Sequence, residues 1–262
     1  MKRYRREFKS SNSGQLLIVA AMTIAILIST TTIYVYELSR KPTDTDDYPI
    51  NDALRALKQS TVNAMISSLG NISQGGETTN LQTNLNQLSQ LFRNLHQPNI
   101  HQLSFTVTNH SGYIEGIMLS WETEGAGVSS THANFTLMSH GLTSNVNIGY
   151  TVNKTTSIEI NGSCTTARVL NPFEVEKLVN LTCQVFNGED SALAENITIY
   201  YFNIGSWTVA DSSNDLSIMD HGNGTYSISF TIITSLDDVQ VSTHVRDLRN
   251  IFVQANTTCY DT

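Results

Sequence analysis

The chain has 262 residues, of which 40% are hydrophobic, enough for one large or two ordinary folded domains and too many for a chain that is disordered throughout. Charged residues make up only 15%, a balance more typical of secreted β-rich domains than of cytosolic enzymes. The formal net charge is −8 although the first fourteen residues carry five basic side chains and one glutamate. The remainder is therefore strongly acidic, and nucleic-acid binding is not expected because phosphate groups would be repelled.

An uncharged apolar run from Leu16 to Val35 follows this basic segment. Its twenty residues, at about 1.5 Å each in a helix, match a hydrocarbon core roughly 30 Å thick. We predict a cytoplasmic basic leader over 1–14 and a transmembrane helix over 15–39, because positive charge marks the cytoplasmic side of such a helix. The chain would then be a single-pass protein of the cell membrane with an extracellular C-terminus, and membrane lipid would be its partner through residues 16–35. The alternatives are a removed secretory signal, whose apolar region would be shorter, and a buried core helix.

The junction between the basic leader and the apolar run carries a family resemblance. A basic leader, then Gly14-Gln15, then an uninterrupted apolar run resembles the class III signal of archaeal type IV pilin-like proteins. In that family a prepilin peptidase cuts between Gly and Gln, which would make Gly14 the last leader residue and Gln15 the first mature residue. The resemblance covers residues 1–40 and implies an archaeal surface protein. Pro42 and Pro49 predict that the helix ends soon after Arg40, which favours a singly anchored protein over a filament subunit.

The next segment is predicted to contain a stalk and two helices. Residues 40–49 are polar, with two prolines, as expected of a solvated stalk. Apolar residues at helical spacing then predict two amphipathic helices, which we expect to cover their own sheet, with a coiled-coil partner site as the alternative. The first is indicated by Ala53, Leu54, Leu57, Val62, Met65, Ile66 and Leu69 with Gly70 as its C-terminal stop, and the second by Leu81, Leu85, Leu88, Leu91, Phe92 and Leu95 before Pro98.

From His101 onward the apolar period changes to two, which predicts strands. Alternating segments up to Ile160 complete an α+β domain over 48–162. Shorter strand patterns follow in 163–262, and their intervals resemble those of an immunoglobulin-like or filamin-like β-sandwich. The predicted fold class is therefore a single N-terminal transmembrane helix followed by a β-rich ectodomain, made of an α+β middle domain and an all-β immunoglobulin-like sandwich.

Cysteines and glycosylation sequons agree with an extracellular location. All three cysteines lie in 163–262, where one disulfide can form in an oxidising exterior, and their spacing does not determine the pair. The disulfide candidates are Cys164, Cys183 and Cys259, of which Cys183 is expected to be a buried thiol because it lies in an apolar strand. Asn-x-Ser/Thr sequons give nine glycosylation candidates, all on the predicted outer side: Asn71, Asn109, Asn134, Asn153, Asn161, Asn180, Asn196, Asn223 and Asn256.

No motif of hydrolytic, nucleotide-binding or zinc chemistry occurs in the sequence, so we predict no catalytic residues, no metal and no cofactor. Three groupings of possible ligand types are expected to be ordinary polar surface instead. These are Asp44, Asp46 and Asp47; His96, His101 and His110; and Asp211, Asn214, Asp215 and Asp220.

Taken together, these features predict a non-enzymatic, membrane-anchored cell-surface protein with a structural, adhesive or binding role, whose expected partner is a surface protein or a glycan. Two alternatives stay open. One is a pilin-like subunit that is cleaved after Gly14 and assembles into a surface filament. The other is a surface hydrolase or solute-binding receptor with an unrecognised site. The sequence determines neither the ligand nor the oligomeric state.

Overall fold

The computed structural model describes residues 48–95, 101–109, 112–140 and 145–261. Residues Arg55–Thr262 form one compact unit, and of the preceding unit, Met1–Leu54, only 48–54 are described. The helices are α1 (Tyr48–Ser73) and α2 (Thr79–Leu95). The strands are β1 (His101–Val107), β2 (Ile117–Thr123), β3 (Ala126–His140), β4 (Asn145–Asn171), β5 (Glu174–Asn187), β6 (Asp190–Ser191), β7 (Ala194–Asn203), β8 (Ser206–Val209), β9 (Ser217–Asp220), β10 (Thr225–Thr234), β11 (Val239–Asp247) and β12 (Phe252–Asp261).

The strands fall into two groups that share one short junction. In the first group β3, β4, β5, β10 and β9 are neighbours in that order, and β1 and β2 pair with successive halves of the free edge of β3. In the second group the order is β8, β7, β11, β12. Within each group the pairing is antiparallel, whereas β12 meets β4 in a short parallel pairing of Tyr260 with Ser163 and Asp261 with Cys164.

The largest hydrophobic core lies between these two groups of strands. Val179 and Phe230 of the first group and Ile199, Val245 and Val253 of the second are fully buried in one cluster. Along β5 buried and exposed side chains alternate, as they do when only one face of a strand meets a core. Two sheets that bury their inner faces against each other in this way form a sandwich, whose outer faces are left to solvent or to a partner.

Both predicted helices are confirmed, and they cover part of the first group of strands. Met65 of α1 and Leu81 of α2 are fully buried, and the Asn84 side chain donates a hydrogen bond of 2.9 Å to the hydroxyl of Ser68. The Lys58 ammonium lies 5.2 Å from the ring centroid of Tyr150 on β4. Most of the two apolar faces predicted from helical spacing is therefore packed within the chain itself, although Leu91 of α2 is 59% exposed.

The predicted stop of the first helix at Gly70 is wrong, because α1 continues to Ser73. Gly70 instead permits a close approach: a Cβ there would lie 3.0 Å from the backbone oxygen of Asn250. On either side of this contact the Gln74 side chain donates to the Asn250 oxygen at 2.8 Å, and the Phe252 amide donates to the Ser73 hydroxyl at 3.0 Å. The glycine allows the end of the helix to dock on the turn between β11 and β12.

The predicted fold class is wrong. In the part of the chain that the structure describes, neither helix is long and apolar enough to cross a membrane. A single N-terminal transmembrane helix therefore has no support here, and the segment predicted for it, 15–39, lies outside the described residues. The strands also do not separate into an α+β domain and an immunoglobulin-like sandwich, since residues on both sides of position 162 belong to one compact unit.

The physical reason is the length of β4. This strand has 27 residues and passes without a break through the predicted boundary, pairing with β3 along its first half and with β5 along its second. The sequence pattern did not show that β4 is continuous, because residues 161–168 are mostly polar and contain Gly162, which interrupts the apolar alternation. Gly162 lies where a Cβ would collide with the side chains of Cys259 and Leu181.

The remaining N-terminal predictions lie largely outside the described residues. They are the leader 1–14, the processing pair Gly14 and Gln15, and the first part of the stalk. The end of the predicted stalk is helical, because α1 begins at Tyr48 and contains Pro49 in its first turn, where proline is tolerated.

Candidate functional site

The outer face of the second group of strands carries a row of aromatic rings. Tyr200 on β7 and His244 on β11 have centroids 4.5 Å apart, and His244 meets Phe252 on β12 edge to face at 5.3 Å. Phe252 in turn meets Trp121 of β2 edge to face at 5.1 Å. Burial lowers the pKa of His244, so its ring is neutral at pH 7 and packs as an aromatic side chain.

Beyond this row the same face opens into a cleft. At the edge of the sheet Trp207 on β8 packs edge to face on Phe202, with centroids 5.5 Å apart, and remains 45% exposed. Beside it lies a cleft of about 350 Å³ between the outer face and the turn that joins β2 to β3. Its main functional side chains are Glu124, Trp207, Gln240, Asn256, Thr258 and Tyr260.

The turn between β2 and β3 forms one wall of the cleft and is fixed in place by its backbone. The amide of Gly125 donates to the backbone oxygen of Asn256 at 2.8 Å, and the Gly125 backbone oxygen accepts from the Ile160 amide at 2.6 Å. Gly125 has a φ of +73°, a conformation that favours glycine, and a Cβ there would lie 2.6 Å from the Ile160 oxygen. Glu124, the preceding residue, is thereby held beside β12.

Three buried polar side-chain atoms on this face have no hydrogen-bond partner among the described residues. They are the Nε of Arg246, the side-chain oxygen of Asn256 and the hydroxyl of Ser242, which is only 3% exposed and lies directly opposite Asn256 in the strand register. A buried polar atom without a partner costs about 1–3 kcal/mol. Asn256 lines the cleft, but its unpartnered oxygen is shielded from solvent, so it is not a group that a ligand in the cleft contacts.

The cleft contains one carboxylate, that of Glu124, and no basic side chain lines it. Its polar lining otherwise consists of amides and hydroxyls, and its two aromatic rings are those of Trp207 and Tyr260, the latter 64% exposed. Such a set can stack on a flat apolar surface and exchange hydrogen bonds with neutral polar groups.

A second groove of about 520 Å³ lies on the outer face of β4, β5, β9 and β10. Its floor is made mostly of asparagine, serine and threonine side chains. Two of these asparagines, Asn161 and Asn180, are sequon residues, and Asn161 also lines the cleft beside Trp207. The residues that line the groove include no aromatic ring, so the cleft is the better candidate for a binding site.

The sequon asparagines are placed as glycosylation requires, with one exception. Eight of the nine are exposed, including several in the middle of strands. Asn256 is only partly exposed and its side-chain oxygen is buried. A bulky glycan needs an exposed asparagine, so Asn256 is the poorest acceptor of the nine. Glycosylation itself stays a prediction.

The three sets of possible ligand residues named from the sequence do not form a metal site in the part of the chain that the structure describes. Among the described residues, no cluster of three or more His, Cys, Asp or Glu side chains could hold a metal ion. The Asp211 carboxylate caps a short 3-10 helix over Ser212–Asn214, accepting from the Ser213 amide at 2.8 Å and hydroxyl at 2.6 Å. These hydrogen bonds lower the pKa of Asp211. Asp220 similarly accepts from the Gly222 amide at 2.7 Å, so both carboxylates stabilise turns.

No sequence motif indicates the cleft. The period-two alternation predicts strands around Trp207 and Gln240, and the glycine-rich break predicts a loop at Glu124. No family model, curated protein or solved structure matches this chain. Only the structure shows that the strand of Trp207 has four residues and lies at a sheet edge, where a large ring stays partly exposed.

The structure distinguishes the three cysteines. Cys164 on β4 and Cys259 on β12 are neighbours, with the Cys164 sulfur donating to the Cys259 carbonyl oxygen at 3.2 Å. Burial, reinforced by Cys164, raises the pKa of Cys259 to about 12. Burial alone raises the pKa of Cys183 to about 12, as expected of an isolated thiol facing a core.

We predict that any intramolecular disulfide joins Cys164 to Cys259 and leaves Cys183 as a thiol. Peptide mapping of the exported chain without reduction should recover the linked Cys164–Cys259 peptides, and should find Cys183 alkylated only after denaturation, because buried thiols are inert. In a C164S variant the linked peptides should disappear, with no new link from Cys259 to Cys183. Recovery of a linked pair that contains Cys183 would contradict the prediction.

Proposed function

We propose that this chain is a non-enzymatic cell-surface protein with an adhesive or structural role, and that it binds its partner at the cleft. The observation that carries the proposal is a pair of exposed rings, Trp207 and Tyr260, beside the amide of Gln240 and the hydroxyl of Thr258 on an outer sheet face. Exposed aromatic side chains that surround a few hydrogen-bonding groups are typical of binding sites.

The lining of the cleft favours binding over catalysis. Hydrolysis of a glycosidic bond commonly uses two carboxyl groups, and other hydrolytic sites need a nucleophile next to a base. The residues that line the cleft supply Glu124 as their one carboxylate and include no histidine, cysteine or lysine. This set can orient a ligand, and its chemistry gives no route to cleavage.

An extracellular location is supported by the exposure of eight sequon asparagines and by the low content of charged residues. Attachment to a membrane through residues 16–35, with the N-terminus in the cytoplasm, stays a prediction from the sequence. Fractionation of cells that express the full-length chain would test it separately from the binding role.

The surface location can be tested with two matched sequon variants. We expect a membrane-impermeant label to react with the chain on intact cells, and N180Q to lower the mass of the mature protein by one glycan, because Asn180 is exposed. The control is N256Q, which should leave the mass of the attached glycans unchanged, because Asn256 is poorly accessible. Intact-mass measurement checks both variants.

A chain that is labelled only after cell lysis and carries no glycan would overturn the surface location. To test the binding role itself, we would compare adhesion of cells that display the wild-type chain with adhesion of cells that display W207A. Equal adhesion of the two would contradict binding at the cleft.

A further inference from the structure

The two rings of the cleft suit a ligand that has an apolar face. Trp207 is 45% exposed and Tyr260 is 64% exposed, and both line the cleft. The face of an aromatic ring is electron-rich and attracts weakly positive C–H groups. A pyranose sugar presents several C–H groups on one face, which is the complementary surface.

The polar groups of the cleft suit a ligand rimmed with hydroxyls. Gln240 offers an amide donor and acceptor, Thr258 offers a hydroxyl, and Glu124 offers carboxylate oxygens that accept from neighbouring hydroxyls. Each of these three side chains can exchange hydrogen bonds with the hydroxyls of a sugar.

The charge and the size of the cleft restrict the class of ligand further. Because Glu124 is the one charged side chain in the lining, the cleft would repel phosphates, uronic acids and other anions. Its volume of about 350 Å³ lies at the lower end of the range of small-molecule sites, ~300–1,000 Å³. This volume fits one or two sugar rings of a longer chain better than a folded protein surface.

From this chemistry we propose that the cleft binds a neutral saccharide, an inference that rests on the proposed binding role of the chain. The sugar stacks on Trp207 and Tyr260, and its hydroxyls hydrogen-bond to Glu124, Gln240 and Thr258. A partner protein would use a larger and flatter surface than this cleft provides.

The chain offers a direct reporter, because it contains two tryptophans and one of them lies in the cleft. In a W121F background the fluorescence of the full-length protein reports Trp207 alone. Neutral oligosaccharides ending in glucose, mannose, galactose or N-acetylglucosamine are the probes, with a uronic acid oligosaccharide as the anionic comparison. At least one neutral probe should produce a saturable change in the emission of Trp207.

In the wild-type background, measured by calorimetry, W207A should weaken that binding by about tenfold or more, as expected when a central aromatic side chain is removed. W207F keeps a ring and should recover part of the affinity. The control is F173A, which removes a ring that is 81% exposed but lies in the turn after β4 and does not line the cleft. F173A should bind as the wild type does, and unchanged circular dichroism would show that W207A is folded.

One result would overturn the inference while leaving the proposed function intact. In that result, cell adhesion depends on Trp207 but neither the wild type nor N161Q, which removes the sequon in the cleft lining, binds any neutral saccharide, whereas the anionic probe or a peptide binds. If neither adhesion nor any probe depends on Trp207, the inference and the proposed function fail together.

Discussion

Replacing Asp247 with alanine is expected to lower the free energy of unfolding by about 3–5 kcal/mol, because it leaves a largely buried cation without its partner. Asp247 is fully buried at the end of β11. Its carboxylate accepts hydrogen bonds from the Thr156 hydroxyl at 2.8 Å and from the Ile251 amide at 2.9 Å. The guanidinium of Arg249 forms an ion pair with it at 2.9 Å.

Loss of the Asp247 carboxylate would destabilise more than this turn, because Arg249 connects three parts of the fold. Its guanidinium also donates to the Thr156 hydroxyl at 2.7 Å on β4 and to the Asn187 side chain at 2.5 Å on β5. The turn between β11 and β12 in turn holds the end of α1 through Asn250. Removing the carboxylate therefore disturbs β4, β5 and the helix together.

Urea unfolding of the full-length chain at pH 7 measures this effect. The control D238A removes an exposed carboxylate just before β11, at the end of that strand opposite Asp247, and should change stability by less than about 0.5 kcal/mol. The double variant D247A/R249A should be less unstable than the sum of the two single variants, because each charge is costly only while the other is missing. A D247A protein within about 1 kcal/mol of the wild type would show that this network does not stabilise the fold.

Local elements could be predicted from the sequence because they leave a periodic signal. The helical spacing of Met65 and Leu69 and of Leu81 and Leu85 reflects faces that are buried in the structure. Alternation along β5 and β10 likewise matches the pattern of buried and exposed side chains. Each of these signals arises within one element and needs no knowledge of its neighbours.

How the elements associate could not be predicted in the same way. In the sequence, the polar middle of β4 resembles a linker. Only its pairing with β5 shows that β4 is one continuous strand. Lys177 is another example, since it is fully buried on β5 with its ammonium donating to the backbone oxygens of Leu236 and Asp237. By residue type alone lysine and aspartate are expected at the surface, so Lys177 and Asp247 gave no sign of being buried.

The cleft was invisible for a related reason. Its residues come from a turn at Glu124, an edge strand at Trp207, and two further strands at Gln240 and Asn256. Catalytic and metal motifs can be recognised when ligands have fixed spacing along one element, and this site has none. Only the sheet order, in which β12 lies beside β11 and meets the turn between β2 and β3, brings these positions together.

The second large effect is expected from G127A, which should lower the free energy of unfolding by about 3 kcal/mol. A Cβ at Gly127 would overlap the backbone oxygen of Gln254 and would lie 3.3 Å from the Val253 side chain. Since a backbone oxygen within a paired strand cannot move alone, β3 and β12 must separate. The turn that carries Glu124 lies just before Gly127, so the wall of the cleft should shift as well.

The matched control is G149A, because a Cβ at Gly149 on β4 would have its nearest neighbour, the Phe135 oxygen, 4.0 Å away. This variant should be as stable as the wild type, or up to about 1 kcal/mol more stable since alanine restricts the unfolded chain. Thermal unfolding of both variants would measure the change in stability. Saccharide titration of each variant, at a temperature where it is folded, would measure the effect on the cleft. If G127A lost stability but bound saccharide with wild-type affinity, contact between β3 and β12 would support the fold without positioning the cleft. If G127A kept both its stability and its affinity for saccharide, the description of β3 and β12 as closely approaching at Gly127 would be wrong.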